Sequence, residues 1–256
     1  MRLFRYGNEK MVMVRARIER SGEMSEYPRV LPAGDCSAVV EFGNTICEQT
    51  GGRIKSYMHI LKQSAPEGVA EAVPTFRSVL IQYDPAKILY GELKQRLEAL
   101  AQNCTSDDQA QGRVVRIPVC YGGAYGPDLA FVAQNAGLTE KEVIGRHAGR
   151  EYLIYMLGFL PGFPYLGGLD EKLYTPRLET PRVRIPAGSV GIGGEQTGIY
   201  PLDSPGGWQL IGTTPVTVYD PDREQPIPYQ AGDRIRFCPV SEEEFKRIKE
   251  SGVWEF

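Results

Sequence analysis

The sequence is poor in histidine and tryptophan, with two of each among 256 residues. The histidines, His59 and His147, stand far apart, and none of the five cysteines forms a Cys-x-x-Cys pair. No zinc-type ligand spacing results, so no metal site is expected. Cys36, Cys47, Cys104, Cys120 and Cys238 are odd in number and no secretory signal pattern is visible. Reduced thiols and a cytoplasmic location are therefore the expectation. No apolar run reaches the roughly 18 residues of a membrane helix. Neither sign of charge dominates: 29 Lys and Arg face 32 Asp and Glu, for a net charge of −3. That balance favours neither nucleic acid nor an acidic membrane surface. Nucleotide and hydrolase signatures are also missing. Gly162 and Gly167 have Walker spacing, but Gly168 stands where lysine must reach the phosphates. The run GIGGEQTG fails as a dinucleotide loop at Gln196 and has no βαβ unit around it. The run AGSVG around Ser189 starts on alanine and leads into more glycines, so it is no nucleophile elbow.

What is present falls into two halves behind a basic start. Residues 1–20 carry six Arg and Lys against two Glu. Glu19-Arg20-Ser21 can be encoded by codons that spell a ribosome-binding sequence upstream of Met24. Residues 1–26 are therefore expected to be an extension or a misassigned start. From 27 to 121 the pattern is regular. SAVVEF (Ser37–Phe42) reads as a strand. Residues 46–61 have helical spacing, weakened by Gly51 and Gly52. GVAEAVP and RSVLIQYD read as strands, ILYGELKQRLEALAQ as a helix and RVVRIPVCY as a last strand. The order β-α-β-β-α-β is that of a ferredoxin-like domain. Asn103–Gly112 reads as a loop within it.

Residues 122–256 differ in texture. Asp128 is placed to cap a helix over LAFVAQNAG. Thr139 and Glu142 have capping-box spacing, with Leu138 and Val143 as a staple, and Ser241 and Glu244 repeat the device. Between them lie short β runs: YLIYML, RVRIP, WQLIG, PVTVYD and RIRFC. Twelve glycines and seven prolines fall within Gly158–Gly212. Such punctuation marks an all-β barrel or sandwich. The fold class is α+β.

GFLPGFPYLGGLD (Gly158–Asp170) is too apolar for a linker and too broken for a helix. Rigid irregular loops rich in aromatics either plug a barrel mouth or line a ligand pocket. Trp208 has the same two readings, core residue or groove wall. His147 sits near a helix end, where an imidazolium can serve the last carbonyls; the alternative is a catalytic base. His59 reads as a surface or partly buried residue.

The block GFLPGFPYLGGLDEKLYTPRLETPRVRIPAGSVGIGGEQTGIYPLDSPGGWQLIGTTP, with HAGREYLIYMLGF before it, resembles the family of allophanate hydrolase subunit 1 and the 5-oxoprolinase B subunit. GDCSAVVEFG and VPTFRSVLIQYDP extend the likeness toward residue 27. That family includes an inhibitor of a sporulation histidine kinase and resembles part of the carboxyltransferase of urea carboxylase. The resemblance implies a ferredoxin-like domain followed by a cyclophilin-like β-barrel. It implies ATP-dependent opening of 5-oxoproline to glutamate, with ATP and magnesium bound by a complex with subunits A and C. The chain alone is then expected to be inactive. A phosphorylated lactam needs cations and amides. Within the block these are Arg177, Arg182 and Arg184, with the backbone at Gly162, Gly188 and Gly206. Phe159, Phe163, Tyr165 and Trp208 would wall the groove, and His147, Gln196 and Tyr200 would orient substrate. His147 and Arg182 are the catalytic candidates. Rival readings are a kinase-inhibiting binding protein, a component of an allophanate hydrolase or urea carboxylase, and, last, a proline isomerase.

Overall fold

The computed structural model describes residues 27–104 and 112–254. The basic start, the Met24 expectation and most of the Asn103–Gly112 loop lie outside these residues. The first part comprises β1 (Arg29–Pro32), β2 (Ser37–Glu41), α1 (Glu48–Ser64), β3 (Val69–Pro74), β4 (Ser78–Tyr83) and α2 (Tyr90–Gln102). The strands form an antiparallel sheet in the order β1-β2-β4-β3. Alternation buries Ala38 and Val40 of β2 and Val79, Ile81 and Tyr83 of β4. Ile54, Tyr57 and Leu61 of α1 and Leu93, Leu97 and Ala101 of α2 join them in one core.

The expected β-α-β-β-α-β unit differs in its last strand. RVVRIPVCY is β5 (Val114–Tyr121), and it leaves this sheet to pair parallel with β13 (Arg234–Pro239). The edge beside β2 is instead taken by β1, in the register Val30↔Val40. A four-residue strand between Pro28 and a terminal Pro32 gives little alternation to read. Strand periodicity also reports a buried face, not which sheet supplies the neighbour.

The second part holds α3 (Leu129–Ala136), α4 (Glu140–Ala148), β6 (Glu151–Leu157), β7 (Pro164–Gly167), β8 (Arg182–Ile185), β9 (Ser189–Gly193), β10 (Gln196–Ile199), β11 (Ser204–Gly206), β12 (Gln209–Thr213) and α5 (Glu242–Ser251). Seven strands close a barrel in the order β10-β7-β6-β13-β5-β12-β9, with β8 and β11 as a separate pair. Val115, Ile117, Ile154, Leu166, Ile192 and Phe237 fill its interior. The capping box at Thr139 is formed with both reciprocal bonds, and Ser241 Oγ accepts from the Glu244 N–H at 3.2 Å. PVTVYD is not a strand. It is irregular and leads into a turn, where the Asp220 N–H donates to Pro226 O and the Asp220 carboxylate accepts from the Asp222 N–H.

The two parts meet at Tyr155, on the outer face of β6. A Cβ at Gly51 of α1 would lie 3.3 Å from this ring and one at Gly167 of β7 only 2.0 Å. Phe76, between β3 and β4, sets its ring 5.8 Å from Tyr155 and 5.4 Å from Tyr165. Glycine in α1 costs helix propensity but lets the helix approach the barrel.

Candidate functional site

GFLPGFPYLGGLD is less irregular than its composition implies, because β7 lies within it. Its aromatics gather at one end of the barrel. Phe163 makes edge contacts with Tyr165, Tyr200, Trp208 and Phe159 at centroid distances of 5.3, 5.5, 5.5 and 5.6 Å. Phe163, Tyr200 and Trp208 are buried with Ile185 and Leu210 in a small satellite core. Burial pushes the Tyr200 hydroxyl up to about 12. Phe159 is the exception: it is 64% exposed and holds a positive φ of 65°. That conformation is costly for a non-glycine residue and places an aromatic on the rim. Arg177 lies over the Trp208 ring at 6.0 Å, which completes an aromatic surface with a cation at its edge.

Glycines make the cluster possible. A Cβ at Gly193 would fall 2.3 Å from Trp208 Cδ1, and one at Gly206 would fall 2.7 Å from the Tyr200 hydroxyl. Gly193→Ala is therefore expected to displace the indole and lower stability by about 2 kcal/mol. Urea unfolding followed by tryptophan fluorescence checks this; an unchanged midpoint and spectrum would show that the ring is not held there.

Two of the three arginines are tied to carboxylates. Arg182 Nη2 donates to both Asp128 oxygens at 2.8 and 2.9 Å, and its Nη1 donates to Trp208 O at 3.2 Å. Asp128 Oδ2 also accepts from the Leu210 N–H at 2.6 Å. Asp128 does sit at the start of α3, yet its side chain makes no cap bond. It instead joins that helix to β8 and β12. Arg184 pairs with Asp203 at 2.6 Å on the surface. The Ala187 N–H and this guanidinium hold the Asp203 carboxyl below the usual range. The expected phosphate cradle is also engaged in part: the Gly188 N–H donates to Tyr200 O at 2.7 Å. Gly162 takes a φ of 81° and its carbonyl accepts from the Tyr229 hydroxyl. Gln196 begins β10 opposite Gly193, next in sequence to Thr197.

His147 lies inside the barrel and is fully buried. It does not reach the helix-end carbonyls as an imidazolium. Thr197 Oγ1 gives its one proton to Gly191 O at 3.0 Å, so it accepts from His147 Nε2–H at 2.8 Å. Nδ1 then accepts from the Tyr121 hydroxyl at 2.8 Å. The ring stacks on Phe237 at 4.5 Å, and the Tyr152 hydroxyl donates to the His147 carbonyl. Burial, with Arg150 nearby, lowers its pKa to about 3, so the imidazole is neutral at physiological pH. Both nitrogens are satisfied, and neither faces the aromatic rim. His59 is exposed and bonds Gln63 at 2.9 Å.

Sequence reasoning did not single out Thr197 or Tyr121 for this region, and it read Asp128 only as a cap. Ser204 Oγ is buried with no hydrogen-bond partner among the described residues. A buried hydroxyl of this kind is available to a bound group. An aromatic rim, an edge cation and one free hydroxyl suit binding and orientation. Among the predicted site residues no nucleophile–base pair is formed.

The site is thus a closed barrel joined to an α/β layer, with its His147 and Arg182 networks committed to internal bonds. The chain belongs to the family described as carboxyltransferase domain, subdomain C and D, whose model matches residues 28–229. It is 40% identical over 227 residues to the 5-oxoprolinase B subunit of Bacillus subtilis, covering 85% of this chain and 95% of that one. It is 48% identical over 174 residues to the 5-oxoprolinase B subunit of Escherichia coli O157:H7, covering 68% of this chain and 79% of that one. Among solved structures it is similar to the urea amidolyase of K. lactis, with a TM-score of 0.72 at 25% identity, over 87% of this chain and 15% of that one.

Proposed function

We propose that this chain is the B subunit of an ATP-dependent 5-oxoprolinase, converting 5-oxoproline, ATP and water to glutamate, ADP and phosphate together with subunits A and C. The match along nearly the whole length of the Bacillus subtilis protein carries this reading. The site supports it in kind. His147 and Arg182 are committed to internal bonds, so their role here is to hold the barrel and its rim in shape. ATP, with magnesium, is bound by the complex, and the chain contributes the aromatic rim of Phe159 and Tyr165, backed by Trp208, with Arg177 to a site completed by a partner. It is inactive alone and works in the cytoplasm. The barrel is read as cyclophilin-like and the first layer as a ferredoxin-like sheet whose edge strand is replaced by β1.

Co-expression with subunits A and C tests the assembly. The tagged chain is expected to co-purify with the C subunit, and the mixture to consume 5-oxoproline but not urea or allophanate. Recovery of the chain alone, or turnover of allophanate instead, would overturn the reading.

A further inference from the structure

The stripe of α1 that faces the barrel is unusual for a packed helix. Glu48, Gly51, Gly52, Lys55 and Met58 follow helical spacing and all border a cleft of about 850 Å³. A helix face set against another layer ordinarily carries apolar side chains that fill the space. Here residues 51 and 52 are both glycine; the Tyr155 ring closes on Gly51, and the two glycines and that ring border the cleft. The opposite wall is the outer face of β6 and β13, with Glu151, Leu153, Tyr155 and Arg234, and the turn at Gln230–Gly232. The cleft therefore combines an apolar wall with two cations and two carboxylates. Arg234 and Glu48 approach only loosely, at 3.4 Å, with Glu48 69% exposed. Lys55 extends along the backbone at Gly232, where an added Cβ would meet its Cδ, Cε and Nζ at 3.1 to 3.3 Å.

We propose that this interdomain cleft binds an acidic α-amino acid, with its two carboxylates at Lys55 and Arg234 and its ammonium at Glu48 and Glu151. The charge set selects the class. A triphosphate would bring about four negative charges against a balanced wall, and a purely apolar ligand would take the charged groups of that wall out of water while offering them no polar contact. An amino acid satisfies both signs by charge-assisted hydrogen bonds and lays its methylenes on Leu153 and Tyr155. The cleft lies on the α1 side of the barrel, with Phe76 standing between its Tyr155 wall and Tyr165 of the aromatic rim. The inference deepens the proposed function and rests on it for its biological sense, since glutamate is the product of that reaction; occupancy of the cleft by product is then a means of feedback on the assembly.

Titration calorimetry on the full chain tests it, with L-glutamate as the probe and glutarate, the same dicarboxylate without the amine, as the control. Saturable binding of L-glutamate is expected, with glutarate about tenfold weaker, which corresponds to about 1.4 kcal/mol. Gly52→Leu fills the hollow and Lys55→Gln removes a cation; each is expected to weaken L-glutamate binding by about tenfold or more. Glu48→Gln is expected to weaken L-glutamate but not glutarate. Thermal melts of the variants show that each is folded. No saturable L-glutamate binding, equal binding of glutarate, or unchanged binding in folded Lys55→Gln would overturn the proposal. Because the readout is binding to this chain alone, its failure leaves the oxoprolinase reading standing, and failure of the reconstituted reaction leaves the cleft untouched.

Discussion

Replacing His147 with alanine is expected to lower the unfolding free energy by about 4 kcal/mol. The substitution removes a ring stacked on Phe237 inside a closed barrel and leaves a cavity. It also strands the part-buried Tyr121 hydroxyl and deprives the buried Thr197 of its donor. The same burial makes a pH signature. The folded imidazole titrates at about 3, against 6.5 for the free group. The unfolded chain therefore takes up a proton that the folded chain refuses. Its contribution to stability is fully present above pH 6.5 and is lost as pH falls toward 3. The slope approaches about 1.4 kcal/mol per pH unit below pH 6, a loss of roughly 2.3 kcal/mol between pH 6.5 and 4.5. His147→Gln abolishes that component, so urea midpoints of wild type and variant are expected to converge as pH falls. Parallel midpoints from pH 7 to 4.5 would mean that His147 is solvated and free to act as a base.

Asp128→Ala is expected to cost about 3 kcal/mol, more than Arg182→Ala at about 1 to 2. Asp128 is the better buried partner, its side chain 14% exposed against 30% for Arg182. Its loss leaves a half-buried guanidinium without its carboxylate and the Leu210 N–H without an acceptor. Loss of the arginine leaves the carboxylate still bonded to that N–H. A double-mutant cycle by urea unfolding isolates the pair, with an expected coupling of about 1 to 2 kcal/mol. A cost below about 0.5 kcal/mol for Asp128→Ala would make the pair a surface contact.

These two sites show where sequence reading stops. Asp128 has the right residue type and place for a helix cap, and it does stand at the start of α3. Its side chain is drawn away by Arg182, 54 residues on, a partner that only the closed barrel brings near. His147 likewise lies in the last turn of α4, where local chemistry favours a charged imidazole. The deciding contacts, Tyr121 and Thr197, come from two other strands. The elements themselves were largely legible, because period-two and helical spacings are local. The path of β5 was not, since its run of buried residues fits either sheet. The aromatics of the Gly158–Asp170 stretch stand with Trp208, as the groove-wall reading placed them, and Tyr200, read apart from them, joins the same cluster. That the group would be mostly packed interior depended on Gly193, Gly198 and Gly206 letting the rings close on the backbone. The glycine pair in α1 read only as a weakness in a helix, and its meaning appears when the barrel stands opposite.

The most direct test of the central claim is a reconstitution from separately purified subunits A, B and C, with glutamate release from 5-oxoproline measured with and without ATP. ATP-dependent release that requires this chain, and returns when it is added back, is the expected result. Full activity from subunits A and C without it, or none from the complete folded set, would contradict its assignment as the B subunit.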